Sequence, residues 1–74
     1  MDAKALHRVL LERLETIGIQ SNHIPTFIKD IFNSFFINPH ATFLQVNERL
    51  QFLGWNDVEL DYHTFMLAKE SFQG

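Results

Sequence analysis

The chain is 74 residues long, which sets one domain, 1–74, with a core barely sufficient at that size, and it has no cysteine for a disulfide or a thiolate metal site. Its net charge is -3 with histidine neutral, so it repels phosphate and lacks the electrostatic footprint of a nucleic-acid binder. Charges recur through the opening residues MDAKALHRVLLERLE without an uninterrupted apolar run, so the expectation is neither a signal peptide nor a membrane span, and a cytoplasmic protein.

The first helix is expected over about 3–17. Leu6, Val9, Leu10, Leu14 and Ile17 recur on one face, while Lys4, Arg8, Glu12 and Glu15 lie away from it. Arg8 and Glu12 are four apart and attract. Gly18 stops the helix, and 19–24 reads as a linker with Ser21 and Asn22 as turn formers. The second helix is expected over about 25–36. Phe27, Ile28, Ile31, Phe32, Phe35 and Phe36 cover about half its circumference at about 100° per residue, so it should be the most buried of the four. Pro39 ends it, because the residue before a proline is disfavoured in the α region.

The third helix is expected over about 39–53, with Asn38 as N-cap and Pro39 at the first helical position. Phe43, Val46, Leu50 and Leu53 form its apolar face, and Gly54 ends it. The fourth, over about 57–72, has two competing starts. In the favoured one Asn56 is the N-cap, Glu59 completes a capping box, and Trp55 with Leu60 forms a hydrophobic staple. In the other, 58–60 is extended, Asp61 is the N-cap and Leu60 with Phe65 is the staple, so the helix starts near Tyr62. Either way the chain reverses at 54–56 and the last two helices become neighbours. The fold class is all-α: a compact bundle of four short helices with a C-terminal helical hairpin. Lys69 falls on the apolar side of the last helix. Either its stem snorkels along the core, or the true face is rotated toward Phe65, Ala68 and Phe72.

Residues of a kind that carries chemistry are sparse. His7, His23, His40 and His63 form no His-x-x-x-His pair, and catalytic zinc needs three protein ligands. Asp57, Glu59 and Asp61 have a D-x-E-x-D spacing. A calcium loop would need glycine at its sixth position and an acid at its twelfth, where Tyr62 and Ala68 stand. These carboxylates instead suit a helix N-terminus, whose dipole they oppose, or an acidic contact surface. There is no G-x-S-x-G and no glycine-rich phosphate loop. The sequence therefore assigns no catalytic residue, metal ligand or cofactor.

A helix–turn–helix regulator binding DNA is the alternative reading. Its would-be recognition helix, DYHTFMLAKESF, has one lysine, no arginine and two acids, which is poor in the cations that position phosphates. More informative is a second apolar stripe: Leu44 and Phe52 on the third helix, Leu60 and Leu67 on the fourth. Both stripes are core if each helix contacts two neighbours. If exposed, they form a self-association or partner surface with Trp55 as anchor, and Asp57, Glu59 and Asp61 are a candidate acidic contact surface for a basic partner. The expected function is a non-enzymatic protein-interaction or adaptor module whose partner is another protein or a second copy.

Overall fold

A computed structural model describes residues 3–73. Among them the elements are α1 (Ala3–Thr16), a 3-10 turn (Ser21–His23), α2 (Ile24–Ile37), α3 (Phe43–Phe52) and α4 (Tyr62–Gln73). The protein is all-α with four helices, as its periodicities require. None of these helices is long and apolar enough to cross a membrane.

Two of the helix ends are set by glycine. Gly18 and Gly54 have φ of +104° and +106°, a backbone region that side-chain-bearing residues rarely enter. Each closes the same paired motif. The Gly18 amide donates to Glu15 O at 3.1 Å and the Ile19 amide to Leu14 O at 3.2 Å. The Gly54 amide donates to Gln51 O at 3.1 Å and the Trp55 amide to Leu50 O at 3.0 Å. Carbonyls that the helix itself leaves without partners are thereby satisfied, and the residue after each glycine turns back onto the helix it has just left.

The starts of α3 and α4 differ from the sequence expectation. Asn38 and Pro39 do not open α3; they form a turn in which Asn38 Oδ1 accepts from the His40 amide at 3.1 Å and Asn38 O from the Ala41 amide at 2.9 Å. The helix begins four residues later, behind Thr42. Thr42 Oγ1 accepts from the Gln45 amide at 3.2 Å, and the Thr42 amide donates to Gln45 Oε1 at 2.9 Å, a reciprocal capping box. Likewise the Asn56–Glu59 start for α4 is not used. Asp61 is the N-cap and the helix starts at Tyr62, with Leu60 and Phe65 both in the core as its staple.

The C-terminal hairpin also takes a different form. The chain does reverse at Gly54, but an irregular segment, 58–61, runs back beside α3, where Asn47 bonds to Leu60, and α4 starts next to the N-terminal end of α3. There Phe43 meets Tyr62 and Phe65, each with ring centroids 5.7 Å apart. α4 then lies chiefly against α1 and α2, and α3 against α2. The core is one cluster: Leu10 and Leu14 of α1, Phe27, Ile31 and Phe35 of α2, Val46 and Leu50 of α3, Leu60, and Phe65 and Ala68 of α4. α2 supplies the largest buried set, as expected, although Phe36 is outside it. On α4 the buried side is Thr64, Phe65 and Ala68, the rotated face, which leaves Lys69 half-buried at its edge.

Candidate interaction surface

The polar groups with the most elaborate contacts are structural. Asp61 Oδ2 accepts from Arg13 Nη2 at 2.6 Å, Asp61 Oδ1 from the Thr64 amide at 3.1 Å, and the same oxygen from the Thr64 hydroxyl. Arg13 Nε donates to Thr64 Oγ1 at 3.3 Å. The Thr64 hydroxyl first, and then the Arg13 guanidinium, hold the Asp61 carboxyl down at about 2, against a smaller opposing effect of burial. What the trio does is tie the start of α4 to α1.

This gives a pH prediction. Asp61 has a folded-state pKa of about 2 against 3.8 for the free group, so the unfolded chain takes up its proton first as pH falls. The stabilisation is complete above about pH 4 and is lost as pH falls toward 2. Asp61→Asn keeps a good N-cap while removing the charge. The ion-pair side chains are 37% and 42% exposed, so solvent screening limits the loss to about 1 kcal/mol at neutral pH. Urea melts of the two proteins should converge near pH 2; a gap that stays constant from pH 7 to 2 would contradict this role.

Among the described residues every buried side-chain polar atom has a hydrogen-bond partner, so the interior offers no group that awaits a ligand. No three His, Asp or Glu side chains among them come together as a metal site. Among the described residues the largest exposed side chains are apolar.

This exposure arises because α2 is apolar round too much of its circumference for one core to cover. Phe35 and Ile31 point inward; Phe36 and Ile37, one and two residues beyond Phe35, emerge on opposite flanks. On one flank the turn at 38–41 brings α3 back beside α2. This leaves a small cleft of about 150 Å³ lined by Ser34, Ile37, Ala41, Gln45, Val46 and Arg49. Beside it the Arg49 guanidinium stands over the ring of Phe52, 5.3 Å from its centroid, and that ring is 79% exposed. On the other flank Phe36, 77% exposed, opens a groove with Phe32, Phe72, Lys29 and Asn33. At Phe32 this groove meets another, lined by Lys4, His7 and Ser71. A third apolar area lies where Leu44 and Tyr62 flank Phe43 and Met66, near His40 and Lys69.

The residues expected to form one interaction surface are therefore dispersed. Leu44 and Phe52 are exposed on α3. Asp57 and Glu59 are exposed on the lead-in to α4, and Asp61 is engaged by Arg13 and Thr64. Leu67 is half-buried against the core. Leu60 is 1% exposed and belongs to the interior, which corrects its place in a surface stripe. Trp55 is half-buried. Its ring meets Phe27 edge-on at 4.9 Å, and its indole N–H donates to Asp30 Oδ2 at 2.7 Å, so it fastens the Gly54 turn onto α2. The exposed residues that periodicity assigned to the core or to a helix end are Phe36, Ile37, Leu53 and Tyr62. Each stands at the margin of its helix's apolar arc, and that marginal position is the signal the sequence offers for them. No protein-family model matches this chain, and neither a curated protein nor a solved structure matches it.

Proposed function

We propose that this chain is a non-enzymatic interaction module that binds another protein through the apolar side chains flanking α2 and α3. The observation that carries the reading is the exposure of Phe36, Ile37, Leu44 and Phe52 by a domain with so little apolar material to spare. Burying one exposed phenylalanine in a complex releases about 2–3 kcal/mol at the usual value per unit of apolar area, so a few such anchors suffice for a specific complex. The helix–turn–helix reading has less support. A reading pair joins its helices by a turn of about three or four residues, whereas nine residues, 53–61, separate α3 from α4.

The test is an affinity capture from the native cell extract, comparing the wild type with a Phe36→Ser/Phe52→Ser variant. Both positions are solvent-facing, so the variant should melt like the wild type within about 3 °C. Proteins retained by the wild type should be lost from the variant. Equal capture by a folded variant would overturn the reading.

A further inference from the structure

We propose that the aromatic groove of Phe32, Phe36 and Phe72 receives an acidic, amphipathic helix of a partner protein. This rests on the interaction reading above and names the chemistry of what binds.

The first argument is charge. The chain as a whole is acidic, with 9 Asp and Glu against 6 Lys and Arg. Yet the joined groove is edged by Lys29 on α2 and by Lys4 and His7 on α1. Among the described residues Asp30 is the one carboxylate in the lining, where it accepts the Trp55 indole N–H and is outnumbered by the two lysines, while Glu12, Glu15 and Glu70 are not part of it. An apolar floor with a cationic edge on an otherwise acidic protein complements a ligand with apolar anchors and flanking carboxylates.

The second argument concerns backbone. Along 29–33 the groove wall is the interior of α2, whose backbone N–H and C=O groups are paired within the helix. A strand or irregular peptide laid there would find no partner for its own backbone polar groups. A helix brings its backbone hydrogen bonds with it. The two grooves, each of about 390 Å³, share Phe32 and so adjoin, which gives room for more than one side chain from the same face of a helix. Phe32 and Phe72 are held edge to face at 5.7 Å, and Phe72 also meets Phe35 at 5.6 Å, so the floor is set before the partner arrives. Single-stranded nucleic acid stacks on aromatic rings too, but it needs a cationic track that two lysines on an acidic protein do not provide.

The experiment is an NMR titration of the isotope-labelled full chain. The probe is a synthetic amphipathic helix with leucines at i, i+3, i+4 and i+7 and glutamates on its flanks. Parallel titrations use the same peptide with lysines for glutamates, and oligo-deoxythymidine. The expected result is shifts at residues 29–36, at Phe72 and around Lys4 and His7. Binding should weaken with salt, and at least about tenfold in a Lys4→Glu/Lys29→Glu variant and in Phe36→Ser. Equal binding of the lysine peptide, comparable binding of the oligonucleotide, or no binding of the acidic peptide would each overturn the proposal. So would concentration-dependent sedimentation of the chain alone that Phe36→Ser abolishes, because a second copy would then occupy the groove. Shifts confined to Ile37, Arg49 and Phe52 would overturn this site yet leave the interaction reading standing. That reading fails separately, through equal capture by the Phe36→Ser/Phe52→Ser variant.

Discussion

Phe35→Ala is expected to bring the protein close to unfolding, while Phe36→Ala, at the next position, leaves its melting almost unchanged. Phe35 is 0% exposed, and its ring meets those of Phe65 and Phe72 at 5.8 and 5.6 Å. Truncating it removes contacts to α4 and leaves a cavity, which in cores of this kind costs about 3–5 kcal/mol. A domain of this length has only about 4–11 kcal/mol of stability in total. The melting temperature should therefore fall by about 15–30 °C. Phe36 is 77% exposed, so its truncation should stay within about 0.5 kcal/mol. Circular-dichroism melts of the two variants measure how α2 is rotated about its own axis. Equal losses at both positions, or the larger loss at Phe36, would mean that α2 faces the core differently.

The pairing of Phe35 with Phe36 also marks where sequence reasoning ends. Periodicity correctly assigned α2 a broad apolar face, but a broad face says only that more surface is available than one neighbour can cover. Which margin is left bare depends on where α3 and α4 dock, and that is not local information. The helix ends show the same division. Gly18 and Gly54 terminate their helices because backbone geometry there is a property of the residue itself, and both were legible. At the start of α3 the sequence reading takes Asn38-Pro39 alone, and the structure uses Thr42 with Gln45 instead. The second prevails because the Asn38 turn leaves Ala41 buried in the core before the helix begins. At the start of α4, the Asn56–Glu59 box was the more complete local signature. Asp61 prevails because its carboxylate finds Arg13, 48 residues earlier in the chain, as well as Thr64. A partner supplied by the fold outweighed one supplied by sequence spacing. Of the candidate surface, Leu44 and Phe52, which the spacing leaves open between core and surface, are exposed, whereas Trp55 and Leu60 are drawn inward by Asp30, Phe27 and Asn47.

Asn47 is the residue expected to carry the largest polar contribution, and its replacement should loosen the whole approach to α4. It sits on α3, 7% exposed, with Oδ1 accepting from the Leu60 amide at 3.0 Å and Nδ2 donating to Leu60 O at 3.3 Å. Leu60 lies in the irregular segment 58–61, which has no neighbouring strand to pair with, and its side chain is buried. The Asn47 amide supplies the donor and acceptor that an adjacent strand would have supplied. In Asn47→Leu the Leu60 N–H and C=O both lose their partner in a dry place. At about 1–3 kcal/mol for each unsatisfied group, the expected loss is about 2–6 kcal/mol. Asn47→Asp keeps the acceptor but sets a carboxylate against the Leu60 carbonyl. Burial and that carbonyl raise its folded-state pKa above the unfolded value, so this variant should regain stability as pH falls and the protonated acid again donates. Asn47→Leu should gain nothing from the same change. The clamp lies one residue before Asp61, so it also holds the carboxylate that reaches Arg13 and Thr64. A double-mutant cycle between Asn47→Leu and Asp61→Asn should then show coupling above about 0.5 kcal/mol. Strict additivity would mean that α4 takes its start from Asp61 and Arg13 alone, with the Leu60 clamp acting only on its own segment.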